Sequence, residues 1–417
     1  MSSLQDAVSC MDGYDPDALH VDRAREVIRG LVRPIRGTQR LFIREALGRV
    51  LACEVVSPID VPGHDNAAMD GYALRGCSLS AHGETRLRIA GTALAGRPFE
   101  GRVGEGECVR IMTGAVMPPE CDSVVMQEAV RSAGDAVIIP AGEKPGRNWR
   151  RAGEDLAAGQ TALATGMILG PAQLGLAASL GIAEVTVRRR LRVAIFSTGD
   201  ELCSIGTQPA RGQIFDSNRY TLFGMASRLG CEVIDLGVVR DRPEALEAAL
   251  REAAENADAI ITSGGVSVGE ADFIRPLLAR LGEVLFWKIA MKPGRPLAFG
   301  RIGDAFLFGL PGNPVAVMVT FHQFVREALA AMMGIDPLPR APLIPAVCTD
   351  ALRKAPGRTE YQRGILSEEG GHREVRLAGA QGSGVLRSMA CANCFIVLEH
   401  ERGAVRAGET VSVQMLD

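Results

Sequence analysis

Between Leu191 and Gly334 the chain places a polar or charged loop after each of five short apolar runs, and the side chains in those loops fall into three chemical groups. Glu201, Asp241 and Asp272 are carboxylates, each just beyond an apolar run. Brought to one edge, three such charges repel one another unless a hard cation such as Mg2+ lies between them. Thr198, Ser263, Gly264, Gly265 and Ser267 combine hydroxyl donors with glycines that let a backbone approach a ligand closely, the composition of a phosphate cradle. Lys288, Lys292 and Arg295 supply positive charge for an oxyanion, and Pro311-Gly312-Asn313-Pro314 forms the last loop. A cation bridging a diphosphate, beside lysines that hold an incoming oxyanion, is machinery for transfer at phosphorus or an equivalent centre.

These residues share one edge if the runs before them are parallel strands. Residues 193–196, 232–239, 259–262, 284–289 and 305–310 are short and apolar, with Gly-rich loops and helical segments between them. That pattern predicts a doubly wound parallel sheet, whose ligands bind beyond the carboxyl ends of the strands. The helix after the second strand carries a capping pattern in Asp241, Pro243 and Glu244, and another helix is predicted from Pro314 to about Met333. Asp241 alone is explained as a helix cap, and a Gly-Gly after a strand as a turn. Five such loops on one edge favour a functional rim.

Outside this unit the texture changes twice. An amphipathic helix is predicted over 18–33 and a second over 43–47, whereas 57–149 holds short apolar runs (87–90, 108–112, 123–127, 136–139) separated by Gly and Pro, the spacing of a small β module. Helical texture returns at 171–180, so the β module is read as an insertion between two helical stretches that pack together. Beyond Pro337-Leu338-Pro339 short alternating strands form a second β module.

The chain has 417 residues and a formal charge of −3, which implies several domains and argues against nucleic acid or an acidic membrane surface as the main partner. By sequence no apolar run is expected to span a bilayer and no signal peptide is evident, so a cytoplasmic location is expected. The ten cysteines show no disulfide framework. Cys391 and Cys394 have the gap of a metal motif but no second pair and no nearby histidine, and are read as strand residues.

The runs Asp65-Asn66-Ala67-Ala68-Met69-Asp70-Gly71-Tyr72-Ala73, Arg110-Ile111-Met112-Thr113-Gly114-Ala115, Gly153-Glu154-Asp155, Ser197-Thr198-Gly199-Asp200-Glu201-Leu202, Ser263-Gly264-Gly265-Val266-Ser267-Val268-Gly269, Lys292-Pro293-Gly294-Arg295-Pro296 and Leu310-Pro311-Gly312-Asn313-Pro314 resemble, in order and approximate spacing, the motifs of the molybdopterin molybdotransferase family, which includes the C-terminal part of gephyrin. His64 and Ala67 stand where many members carry an aromatic residue and a serine. The resemblance implies a multidomain α/β plus β fold: a discontinuous helical domain (14–57 and 150–190), an inserted β domain (58–149), a doubly wound molybdopterin-binding α/β domain (191–339) and a C-terminal β barrel (340–417). It implies a homodimer whose active site receives adenylylated molybdopterin and molybdate in the presence of Mg2+ and releases AMP. On the matching positions, Glu201, Asp241 and Asp272 serve the metal and pterin phosphate. Lys288, Lys292 and Ser383 serve molybdate, and Asp65, Thr113, Arg150 and Asp155 reach in from the other subunit. Transient contact with molybdopterin adenylyltransferase and with cofactor-accepting enzymes follows from the same resemblance. A molybdopterin adenylyltransferase and a gephyrin-like scaffold are the alternatives; the former lacks the two β modules.

Overall fold

The computed structural model describes residues 18–264, 274–339 and 341–416. Its α/β unit is built on a six-stranded sheet of β1 (Arg192–Thr198), β2 (Glu232–Val239), β3 (Ala259–Ser263), β4 (Gly282–Lys288), β5 (Pro296–Ile302) and β6 (Ala305–Leu310), in the order β2-β1-β3-β6-β5-β4. The pairs β1–β2, β1–β3 and β3–β6 are parallel, while β5 runs antiparallel to both β6 and β4. The sheet is therefore mixed, not all-parallel as expected. The run from Leu297 to Ile302, hidden between Pro296 and Gly303, is a buried strand that turns tightly into β6. Because β4 is antiparallel to an antiparallel strand, it points the same way as β1, β2, β3 and β6, and its following loop still reaches the common rim.

Helices α1 (Asn218–Arg228), α2 (Pro243–Asn256), α3 (Ile274–Leu281) and α4 (Pro314–Thr320) cover the two faces of the sheet. Alternate residues of β1 divide between two apolar cores: Val193 and Ile195 face one, Ala194 and Phe196 the other. That alternation is the consequence of a strand buried on both sides. Helix α4 continues through a π turn (Phe321–Val325) into a further helix (Arg326–Met332). This 19-residue run is long and apolar enough to cross a membrane by length and composition, contrary to the expectation, but 72 % of its most apolar stretch is buried in the fold.

The helix over Val21–Leu31 buries Val21, Ala24, Val27 and Ile28 in the larger α/β core, against Phe321, Phe324 and Leu329. It does not pack with the helix over Pro171–Ser179, whose Ala177 lies in a separate core with Leu51, Leu163 and Val187. The predicted helix at 43–47 is one 3-10 turn, Ile43–Glu45. Strand ladders knit that region instead, Thr38–Phe42 with Glu184–Arg188 and Val55–Val56 with Thr161–Leu163. The inserted module is a six-stranded sheet in which Thr85–Ala93 and Glu107–Ile111 make the parallel pair. At the C-terminus Leu343–Cys348, Thr359–Glu369, His372–Leu377, Cys394–Leu398 and Thr410–Met415 close into a five-stranded barrel through the pairing of Thr359–Glu369 with Cys394–Leu398. A short parallel ladder, Met291–Lys292 with Thr359–Glu360, ties this barrel to the loop after β4.

Candidate functional site

A cleft of about 1060 Å³ opens between the strand-end loops of the α/β unit and the rim of the C-terminal barrel. On the α/β side it is lined by Thr198, Glu201, Asp241, Gly264, Lys292, Arg295 and Pro311, and on the barrel side by Ser383. Eight of the expected residues thus meet in one place because parallel strands deliver their following loops to one edge.

Local chemistry fixes each of them. Gly264 follows β3 with a φ of 90°, and a Cβ there would lie 2.4 Å from the Thr198 carbonyl oxygen. Only glycine lets the ends of β1 and β3 approach so closely. Glu201 is exposed in the turn after β1, and its carboxylate folds back over Gly199, where a Cβ would be 2.5 Å from Oε2. Asp241 was expected to cap α2, and it does not. Arg242 occupies that position without a side-chain cap, while Oδ1 of Asp241 accepts a short hydrogen bond from the Thr198 hydroxyl. The carboxylate is thereby turned from its own helix toward the cleft.

Ser263 has a structural duty. Its buried Oγ donates to the Pro311 carbonyl (3.3 Å) and accepts from Nδ2 of Asn218 (2.8 Å), which also donates to the Gly312 carbonyl (2.6 Å). Ser263 does not line the cleft, and neither do Lys288 or Pro314, the first residue of α4. Gly265, Ser267 and Asp272 lie outside the described residues. Among the described residues no group of three His, Cys, Asp or Glu side chains is placed to hold a metal. Glu201 and Asp241 remain as two hard oxygen donors on one wall, a set that suits Mg2+, which takes one or two carboxylates and completes its shell with water and phosphate oxygens.

Asp65, Thr113, Arg150 and Asp155 do not line this cleft in the same chain. Asp65 and Arg150 lie at a two-residue ladder, Asn66–Ala67 with Trp149–Arg150, that joins the inserted module to the segment after it. Oδ1 of Asp65 accepts from the Ala152 N–H (2.8 Å), and the Asp155 N–H donates to the Val61 carbonyl (3.1 Å). The Thr113 N–H (2.8 Å) and hydroxyl (2.7 Å) both donate to Asp70, holding that carboxyl below its ordinary range, the backbone bond being the larger cause.

The barrel contributes residues that sequence reasoning did not single out: Arg358, Glu360, Gln362, Arg363 and Gln381. Arg363 is 1 % exposed, and burial pushes its guanidinium down to about 10. It donates to Ser388 Oγ (3.1 Å) and to the carbonyls of Ala380 (2.9 Å) and Gly382 (3.0 Å), all neutral acceptors, so it presents uncompensated positive charge beside Ser383. The strand that carries them, Thr359–Glu369, is rich in polar and charged residues, so its sequence gives no signal that Glu360, Gln362 and Arg363 are buried. Beneath the other wall, Asp216 and Arg219 form a buried ion pair (3.0 Å) that Asp235 extends, also unforeseen. Cys394 is buried in its strand, with burial raising its thiol to about 11, whereas Cys391 is exposed at the end of a helix and not in a strand as expected.

Comparison with known proteins agrees with this architecture along the chain. Family models described as "MoeA N-terminal region (domain I and II)", "Probable molybdopterin binding domain" and "MoeA C-terminal region (domain IV)" match residues 19–181, 194–331 and 345–416. The chain is 46 % identical to a molybdopterin molybdenumtransferase of Haemophilus influenzae over 95 % of this chain and 98 % of that protein. It is 38 % identical to molybdopterin molybdenumtransferase 2 of Mycobacterium tuberculosis over 89 % and 93 %. The crystal structure of the molybdopterin biosynthesis moeA protein from Pyrococcus horikoshii superimposes with a TM-score of 0.83, at 28 % identity, covering 96 % of this chain and 100 % of that one. With the barrel and the inserted module both present, and the identity sustained from end to end, the chain belongs to the molybdopterin molybdenumtransferase family.

Proposed function

We propose that this chain, a transferase of molybdenum-cofactor biosynthesis, uses the cleft to insert molybdate into adenylylated molybdopterin with release of AMP. The observation that carries the reading is the chemical division of the cleft, with carboxylates and a glycine in the loops after β1, β2 and β3, and a cationic wall of Lys292 and Arg295 after β4 with buried Arg363 of the barrel. In this reading the Thr198 and Gly264 loops receive the pterin phosphate, and the cationic wall with Ser383 receives molybdate. Glu201 and Asp241 would hold Mg2+, which supplies positive charge to the phosphoanhydride when bound. Thr198, by fixing Asp241, keeps that carboxylate facing the diphosphate. Water attacking phosphorus would cleave the P–O–P linkage and release AMP, and the dithiolene sulfurs would take the place of oxygen on molybdate, that oxygen leaving as water with the thiol protons.

The same reading makes the active unit a homodimer. Asp65, Thr113, Arg150 and Asp155 have no place in the cleft of their own chain, and a second subunit would bring them there. Ile214 and Phe215 on the two-residue ladder beside Glu201, Ile205 in the turn that follows Leu202–Cys203, and Tyr220 and Phe223 on α1 are exposed apolar side chains, a surface suited to cover by a partner. We place the domain limits at 14–57 with 150–190, 58–149, 191–339 and 340–417. The test is to incubate the purified chain with adenylylated molybdopterin, Mg2+ and molybdate and to measure AMP. Molybdate-dependent AMP release is expected, and release that is absent or indifferent to molybdate would overturn the reading.

A further inference from the structure

Glu360 is the anomaly of the cationic wall. It is 3 % exposed and negatively charged, yet it stands among the cations Lys292, Arg295, Arg358 and Arg363 that line that part of the cleft. Oε1 faces two cations from different parts of the fold: Lys292 Nζ at 3.7 Å across the ladder that joins the α/β loop to the barrel, and Arg358 Nε at 3.6 Å in the bend just before its own strand. Both separations exceed hydrogen-bond length, so neither cation has spent an N–H on the carboxylate. Oε2 accepts from Gln362 Nε2 at 3.3 Å. The two cations are about half exposed, so their free donors open to the cleft. A buried carboxylate with loose partners is costly to desolvate and contributes little to stability, which leaves its electrostatic effect on the neighbouring cations as its main consequence.

We propose that Glu360 is an internal counter-ion that sets the oxyanion affinity of the site, offsetting part of the positive charge of Lys292 and Arg358 and so opposing the unproductive capture of tetrahedral dianions such as sulfate. This rests on the reading of the cationic wall as an oxyanion site. A ligand dianion entering between Lys292 and Arg358 must compete with the fixed charge of Oε1, and it remains only when further contacts, those of the assembled reaction, add to the two cations. Neutralising Glu360 removes a repulsion acting over a few Å in a partly wet cleft, an effect on the order of tenfold in affinity.

The experiment titrates sulfate and molybdate calorimetrically into the full chain, its Glu360→Gln variant and its Arg358→Ala variant. Glu360→Gln is expected to bind sulfate about tenfold more tightly, and Arg358→Ala less tightly, than the unaltered chain. In the AMP-release assay, sulfate is expected to inhibit Glu360→Gln at concentrations that leave the unaltered chain unaffected. Folded Glu360→Gln with unchanged or weaker sulfate binding would overturn the proposal. Glu360→Asp, which withdraws the carboxylate by one methylene, covers the case in which the neutral variant does not fold: it should tighten sulfate binding by a smaller factor, and no tightening overturns the proposal equally. Failure of the unaltered chain to release AMP would remove the functional reading and leave the sulfate comparison to decide this one.

Discussion

Glu201 and Lys292 line one cleft with opposite charges and should fail differently when changed. Glu201 is exposed and contributes no packing, so Glu201→Gln is expected to leave thermal stability and affinity for adenylylated molybdopterin largely intact. Molybdate-dependent AMP release should fall by about two to three orders of magnitude, the usual cost of removing one well-placed electrostatic contributor. Normal turnover in this variant would make Glu201 a bystander. Lys292→Ala should instead raise the molybdate concentration needed for half-maximal rate, with little change in the response to Mg2+. Equal shifts in both titrations would contradict the division of the walls.

Among the elements, the parallel strands matter through what their ends permit. Gly264 lets β3 end against the Thr198 carbonyl, and its positive φ excludes other side chains at small cost only for glycine. Gly264→Ala is therefore expected to destabilise the chain by about 2–4 kcal/mol, combining backbone strain with a clash against main chain. Urea unfolding measures this directly, and an unchanged midpoint would show that the two loops can separate without penalty. Helix α2 illustrates the opposite relation between element and site. Its first turn contains Pro243 and Glu244 as a capped helix should, yet Asp241 is recruited by Thr198. A hydroxyl from a neighbouring strand outcompetes the local cap because β1 and β2 end side by side.

For the whole molecule, the decisive arrangement is the separation of two sets of polar residues. The cleft draws on the α/β unit and the barrel, while Asp65 and Thr113 of the inserted module, with Arg150 and Asp155 just beyond it, lie outside the cleft of their own chain. In a dimer with shared sites, mixing Asp65→Asn with Glu201→Gln chains would generate heterodimers carrying one intact site and one doubly altered one. Activity should return toward a quarter of the unaltered level, since about half of randomly paired dimers are mixed and each has one working site. No recovery, with subunit exchange confirmed by mass, would place Asp65 outside the shared site.

Much of this organisation is written locally. The spacing of apolar runs and glycine loops identifies five strands of the α/β sheet, and 136–139 and 305–310 coincide with observed strand limits, because burial on a sheet imposes its period directly on neighbouring residues. The residue types of the loops after those strands likewise announce phosphate, cation and oxyanion chemistry before any packing is known. What the chain leaves open locally concerns partners distant in sequence. The amphipathic stripe of Val21–Leu31 shows that one face is buried, but the choice of the α/β core over the helix at Pro171–Ser179 depends on the surfaces other segments present. Pro296 and Gly303 disguised β5, whose strand character comes from pairing with both β4 and β6. Glu360 and Arg363 are charged residues in a sequence stretch typical of a surface, and they are buried because a barrel closes around one and an α/β loop docks on the other. Burial of charge is a property of the assembled fold, since the same side chain is inexpensive in water and costly inside until distant groups surround it.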